Sequence, residues 1–253
     1  IQSQGQPSNV LACSTDSRFL APAHAAARVE SIVRALLNHL AASATTTSAA
    51  QNAPQNAPQW YKKIDSTLRG NLGAEIAALL PLITPANHAP HAIIAPAFPA
   101  QQRTLVDGYL CYAQLPPRTR HLPTMLTDQC SLTLTSIPLK TIRAGTTAIA
   151  TALQNARATE TTLIVADAES EEDLANLYWA TTEIMPHALF CGSAGLVGVM
   201  AQQLVRQKET TYVADDFTSD NGDDANATAG VARAAHTMQW HPMLVVVGSG
   251  SPM

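Results

Sequence analysis

Charge is scarce in this sequence: 13% of its residues are Asp, Glu, Lys or Arg, where an ordinary soluble domain carries about 25%. The few charges lean acidic, with Lys+Arg 15 against Asp+Glu 19 and a formal net charge of −4. No basic excess exists to neutralise a phosphate backbone, so no nucleic-acid partner is expected. Long apolar runs are missing as well. None reaches the roughly 18 consecutive residues a membrane-spanning helix needs, so no membrane partner is expected either. Cysteines number 4; Cys13, Cys111, Cys130 and Cys191 include no Cys-x-x-Cys pair and no Cys/His metal spacing, and are expected as buried thiols of a reducing, cytoplasmic compartment. The 8 histidines form no H-E-x-x-H, and the acidic run Asp215 to Asp224 lacks the EF-hand spacing, so no protein-held metal is expected. There is no P-loop and no G-x-G-x-x-G after a strand. A nucleophile elbow at Ser193 would need glycine where Cys191 stands, so that pattern fails too.

Apolar matter is plentiful: 46% of 253 residues are hydrophobic, enough for a sizeable core and too much for disorder. Short β-branched runs alternate with Ala/Leu-rich stretches of helical period, the pattern of a parallel sheet with crossover helices. The expected fold is α/β, an open, mostly parallel sheet with helices on both faces in three layers, truncated at both ends. The truncation is expected because the chain opens on Ile1 without a signal pattern and closes on a strand-like run feeding a Gly/Ser loop. Strands are expected over 9–14, 60–64, 92–95, 137–142, 161–165 and 244–247, with 105–112 a further strand or excursion. Helices are expected over 23–42, 71–82 and 196–206, and Ser170 with Asp173 carries a capping-box signature for one more. Residues 41–59, rich in Ala, Thr, Ser, Gln and Asn, read as a flexible surface loop.

The densest polar cluster is Lys62, Lys63, Asp65, Ser66, Thr67, Arg69 and Asn71, where a strand gives way to a helix. In open α/β sheets ligands sit beyond the carboxyl ends of the strands. Period-two alternation puts Tyr61, Lys63 and Asp65 on one side and Lys62 and Ile64 on the other. Lys63 and Arg69 suit a carboxylate, Ser66 and the helix N-terminus supply donors, and Asp65 accepts from a sugar hydroxyl. The plain alternative is a helix cap with two solvated lysines. Thr15, Asp16, Ser17 and Arg18 follow the first strand in the same way, so Arg18 reaches the same edge of the sheet. Arg103 and Asp107 lie in a Pro-bounded loop that is uninformative alone. A hydrolase built on Cys191 or Ser193 is the weakest reading, since it needs a histidine that the sequence does not place.

The run 61–71 resembles the K-x-D-S-T-L-R-G-N signature of the four-carbon acid sugar kinase family. Thr15 to Arg18 is similar to that family's T-D-S-R element, and Ala95 to Pro99 with Arg103 to its A-P-A-F/Y-P…R-T segment. Asp167 to Leu174 and Gly192 to Leu196 are similar to its D-A-x-x-x-x-D-L and G-S-A-G-L elements. Val245 to Ser251 resembles the opening of its nucleotide-binding domain. The resemblance implies ATP-dependent phosphorylation of the terminal hydroxyl of threonate, erythronate or an oxo-tetronate. It places substrate binding on Arg18, Lys63, Asp65 and Ser66, to which Arg69 of the cluster and Arg103 of the A-P-A-F/Y-P…R-T segment are added. Asp65 is the expected hydroxyl-orienting catalytic group. Ser249 and Ser251 are expected at the nucleotide, and ATP with Mg2+ as the cofactors. The implied division is a sugar-acid-binding domain over 1–208 lacking its first strand, a polar linker over 209–242, and over 243–253 the start of a nucleotide-binding domain. Family members begin with a D-D-x-T-G strand that this chain lacks before Ile1, and Asp215, Asp216 and Thr218 read as linker rather than its equivalent. The chain is therefore expected to be inactive alone. The alternative is a non-catalytic sugar-acid-binding module, with the oligomeric state and the particular acid left open.

Overall fold

The computed structural model describes residues 10–46, 58–112, 120–203 and 243–247. In chain order these form β1 (Val10–Ser14), α1 (Pro22–Thr46), β2 (Gln59–Lys63), α2 (Leu72–Ile83), β3 (Ala92–Ala95), β4 (Thr104–Val106) and β5 (Tyr109–Cys111). Next come α3 (Leu122–Gln129), β6 (Leu134–Ile137), α4 (Leu139–Arg143), α5 (Thr146–Ala158), β7 (Leu163–Ala166), α6 (Glu171–Ile184) and β8 (Leu189–Gly192). A helix α7, described over 194–203, and β9 (Met243–Val247) complete the set. Seven strands form one sheet in the order β1-β9-β2-β8-β3-β7-β6, and every pairing in it is parallel.

Side chains alternate across each strand, so a central strand must be apolar on both faces. Ile93, Ile164 and Phe190 accordingly enter one core, with residues of α5, α6 and α7. Their neighbours Ile94, Val165 and Cys191 enter the other, with residues of α1, α2 and α3. The three-layer α/β expectation is met. Among the described residues no helix is long and apolar enough to cross a membrane.

Four local expectations change. The strand expected over 137–142 divides into β6 and α4 at Pro138, which is extended with φ −72 and ψ 158 and stands as the N-cap of α4; proline fixes its own φ and has no N–H for a ladder. Residues 105–112 resolve into the antiparallel hairpin β4-β5. Helix α1 runs on to Thr46 because Ala41, Ala42 and Ala44 are good helix formers; residues 47–57 of the expected loop lie outside the described residues, as does the linker 209–242. Finally, residues 243–247, expected to open a separate domain, pair within this sheet as β9, with Val246 opposite Cys13 of β1 and Lys62 of β2. An unbroken apolar run rich in valine suits a strand paired on both edges. The capping box is present as expected: Ser170 Oγ accepts from Asp173 N at 3.1 Å, and Asp173 Oδ2 accepts from Ser170 N at 3.0 Å.

One buried carboxylate fixes the hairpin to the sheet. Asp167, just past β7, accepts from the backbone N–H groups of Asp107 (2.8 Å), Gly108 (3.0 Å) and Leu139 (3.2 Å). Burial pushes its carboxyl up, the three N–H bonds pull against that, and nearby Asp107 adds to the rise. Leu105 and Ala168 also exchange backbone hydrogen bonds at 2.9 and 3.0 Å. The hairpin, and Arg103 immediately before it, are thereby held at the carboxyl edge of the sheet.

Candidate functional site

The chain leaves β2 through a turn that needs two left-handed residues, Leu68 at φ 59 and Gly70 at φ 97. Leu68 is buried against the second core, which offsets the cost of that conformation in a residue with a side chain. Gly70 takes it freely, and a Cβ there would stand 3.6 Å from Arg18 Cα, so the loop after β1 lies against it. Asn71, the N-cap of α2, does not cap with its side chain; its amide donates to Leu20 O at 2.8 Å and joins the two loops. The first turn of α2 is held by α3: Gln129 Oε1 accepts from Gly73 N at 2.8 Å, and a Cβ at position 73 would come within 2.7 Å of Gln129 Cβ.

Within the turn, Asp65 is the organising acceptor. Its Oδ2 takes the Thr67 hydroxyl at 2.7 Å and the Arg69 Nε, and its Oδ1 takes the Thr67 N–H at 3.4 Å. Burial alone would raise this carboxyl; the Arg69 and Thr67 hydrogen bonds more than reverse that and hold it at about 2. Asp65 is ionised throughout the neutral range and acts as an acceptor. Lys63 is half-buried, with its ammonium donating to Ile64 O at 2.8 Å. Burial pushes it down, Asp65 partly restores it, and Arg18 and Lys62 push it down further.

These groups line an open cleft formed by Arg18, Lys62, Lys63, Asp65, Arg69, Asn71 and Glu75 with the backbone of the turn. The cleft is richer in cationic than in anionic side chains although the chain's net charge is −4. Such a lining suits a small anion that also offers hydroxyl groups to an ionised carboxylate.

Arg18, Lys63, Asp65 and Arg69 are thus brought together as the sequence suggested. Ser66 and Arg103 meet each other instead. The Ser66 hydroxyl, buried, accepts from Arg103 Nη1 at 2.5 Å, the guanidinium lies 5.9 Å from the Tyr112 ring centroid, and neither residue lines the cleft. Ser249 and Ser251 lie outside the described residues. The solvated-lysine alternative fails at Lys62, which is 1% exposed and paired with Glu75. The hydrolase reading fails as well: Cys191 is fully buried with its thiol pushed well above the usual range by burial, and the Ser193 hydroxyl is spent on Ala97 O at 2.8 Å. Sequence reading missed Glu75, thirteen residues beyond Lys62, and Arg120, whose Nη1 donates to Thr67 O at 2.6 Å and braces the turn. Both act across tertiary contacts that no local spacing rule encodes.

A family model described as a sugar-binding N-terminal domain matches residues 1–200. D-threonate kinase of Cupriavidus necator is 35% identical over 204 residues, covering 76% of this chain and 44% of that protein. D-erythronate kinase of Heliobacterium modesticaldum is 33% identical over 183 residues, covering 67% of this chain and 37% of its own length. The chain thus spans less than half the length of these two relatives. Among solved structures, a domain of unknown function from Bordetella bronchiseptica, a domain-swapped dimer with bound citrate, superposes with TM-score 0.52 at 28% identity, covering 73% of this chain and 43% of that one. A Haemophilus influenzae protein at 21% identity, covering 74% and 44%, shares the fold with TM-score 0.58.

Proposed function

The chain belongs to the four-carbon acid sugar kinase family through its sugar-binding N-terminal domain, and from that premise we propose that its cleft holds the four-carbon acid whose terminal hydroxyl the whole enzyme phosphorylates with ATP. The observation that carries this reading is the convergence of Arg18, Lys63 and Arg69 with an ionised Asp65 on one open cleft. The substrate class is threonate, erythronate or an oxo-tetronate. Arg18 and Lys63 bind the carboxylate, and Asp65, itself steadied by Arg69 and Thr67, accepts from a ligand hydroxyl and orients it. With a pKa of about 2 Asp65 is a weak base, which suits a reaction whose loose transition state is served chiefly by positioning and charge neutralisation. Arg103 and Arg120 contribute by holding Ser66 and Thr67, and hence the turn, in place.

Mg-ATP is the proposed phosphoryl donor, bound in part through Ser249 and Ser251, with the Mg2+ carried by the nucleotide. Among the described residues no group of three or more His, Cys, Asp or Glu could hold a metal ion. The residues named above bind and orient the acceptor.

The test is ADP release from ATP by the full-length protein with each stereoisomer of threonate, erythronate and oxo-tetronate. Release is expected with one of them and is lost in Asp65→Asn and Arg18→Ala. Binding of an acid without ADP release would instead identify a sugar-acid-sensing module.

A further inference from the structure

Lys62 points to the α2 side of the sheet, on the strand face that also carries Trp60 and Ile64, with Cys191 of β8 and Val246 of β9 as its register neighbours. Its ammonium meets Glu75, in the first turn of α2, at 2.5 Å, with the two side chains 1% and 6% exposed. A buried pair of this kind seldom adds stability over apolar side chains of equal size, because desolvating both charges offsets their attraction. The surrounding core of Trp60, Ile64, Ile76 and Leu79 is apolar, so the fold alone gives no reason for charge here. The cleft does. Both members of the pair line it and are almost wholly buried, whereas Arg69, which also lines it, is 54% exposed. An ammonium has three donors, and the pairing with Glu75 uses one.

We propose that the Lys62–Glu75 pair is the specificity-determining floor of the cleft, donating to and accepting from the internal hydroxyl groups of the ligand, so that the site selects a polyhydroxylated acid over one lacking those hydroxyls. The proposal rests on the acid-sugar reading of the cleft. A site built to hydrogen-bond hydroxyl groups rejects the analogue without them because its own buried polar groups are then left unpaired. Arg18 and Lys63 recognise the carboxylate that both kinds of acid share; the floor tells them apart.

The test is calorimetric titration of the full-length protein with D-threonate, D-erythronate and 4-hydroxybutanoate, which keeps the carboxylate and terminal hydroxyl but has no internal hydroxyls. The decisive variant is the double replacement Lys62→Met, Glu75→Leu, which removes both charges while keeping the volume filled. Wild type is expected to bind one of the two sugar acids about tenfold or more tighter than 4-hydroxybutanoate, and the folded double variant to lose that ratio. A folded double variant that keeps the wild-type ratio overturns the proposal, as does a wild type that binds all three acids alike. Should the double variant fail to fold, Glu75→Gln keeps the shape and a hydrogen bond but not the charge; a reduced ratio supports the proposal and an unchanged ratio overturns it. A wild type that binds none of the three acids overturns the acid-sugar reading itself, an outcome separate from selective binding that survives the double replacement.

Discussion

Two strand-to-helix junctions stand at the carboxyl edge of the same sheet, β2 into α2 and β8 into α7, and they differ in whether their polar groups border an open space. At the second, Ser193 is fully buried, its hydroxyl donates to Ala97 O and accepts from Gly195 N at 3.0 Å, and its carbonyl accepts from Tyr61 Oη at 2.6 Å. A Cβ at Gly195 would come within 2.5 Å of Ala97 O. That junction is packing, and its Gly-Ser-Ala-Gly sequence serves close approach. At the first, the charged side chains of Arg18, Lys63 and Arg69 border an open cleft. Position at the carboxyl edge is common to both; polar groups left facing an open space distinguish the site.

The contrast can be broken from either side. The largest expected effect is on folding: Lys62→Met alone leaves Glu75 buried without its partner and should cost about 3–5 kcal/mol, read as a lower urea midpoint, whereas the double replacement described above should be close to wild type. Gly195→Ala at the packed junction should cost about 1–3 kcal/mol through overpacking, with ligand affinity unchanged in the protein that remains folded. Arg18→Ala should weaken sugar-acid binding by about tenfold or more through loss of a charge-assisted hydrogen bond. A smaller effect belongs to Asp65. Its carboxyl lies at about 2 in the folded protein, below the usual value of about 3.9, so its contribution is complete above about pH 4 and is lost as pH falls through about 2. Because Arg69 is 54% exposed, solvent screening limits the contribution to about 1 kcal/mol, and acid unfolding of Asp65→Asn should lack that portion of the slope. The smallest effect is a null one: a thiol reagent should leave Cys191 unmodified in the native protein and reach it only in urea, because the thiol is both buried and held protonated.

The layers of the fold are readable from period alone, since β3, β7 and β8 are short apolar runs and each demands cover on both faces. Boundaries are readable where chemistry marks them, as at Ser170 and Asp173. They are misread at Pro138, where a proline inside an apolar run ends the strand and begins a helix, and at residues 243–247, whose place in the sheet is a matter of tertiary pairing. In the site, the cleft residues Arg18, Lys63, Asp65 and Arg69 stand out because charge is rare in this chain and they follow strands. Ser66 and Arg103 carry the same polar signal but are turned toward each other. Glu75 and Arg120 carry no signal, because their partners, Lys62 and the Thr67 carbonyl, are met only after the sheet has formed.

The central claim, that the cleft between the β1 and β2 loops is a sugar-acid site, is tested most directly by calorimetric titration of the protein with D-threonate and D-erythronate, in wild type and in Arg18→Ala. Saturable one-to-one binding of one acid by wild type, lost or weakened about tenfold or more in the variant, is the predicted result. Binding of equal strength in both proteins would place the acid elsewhere and contradict the account.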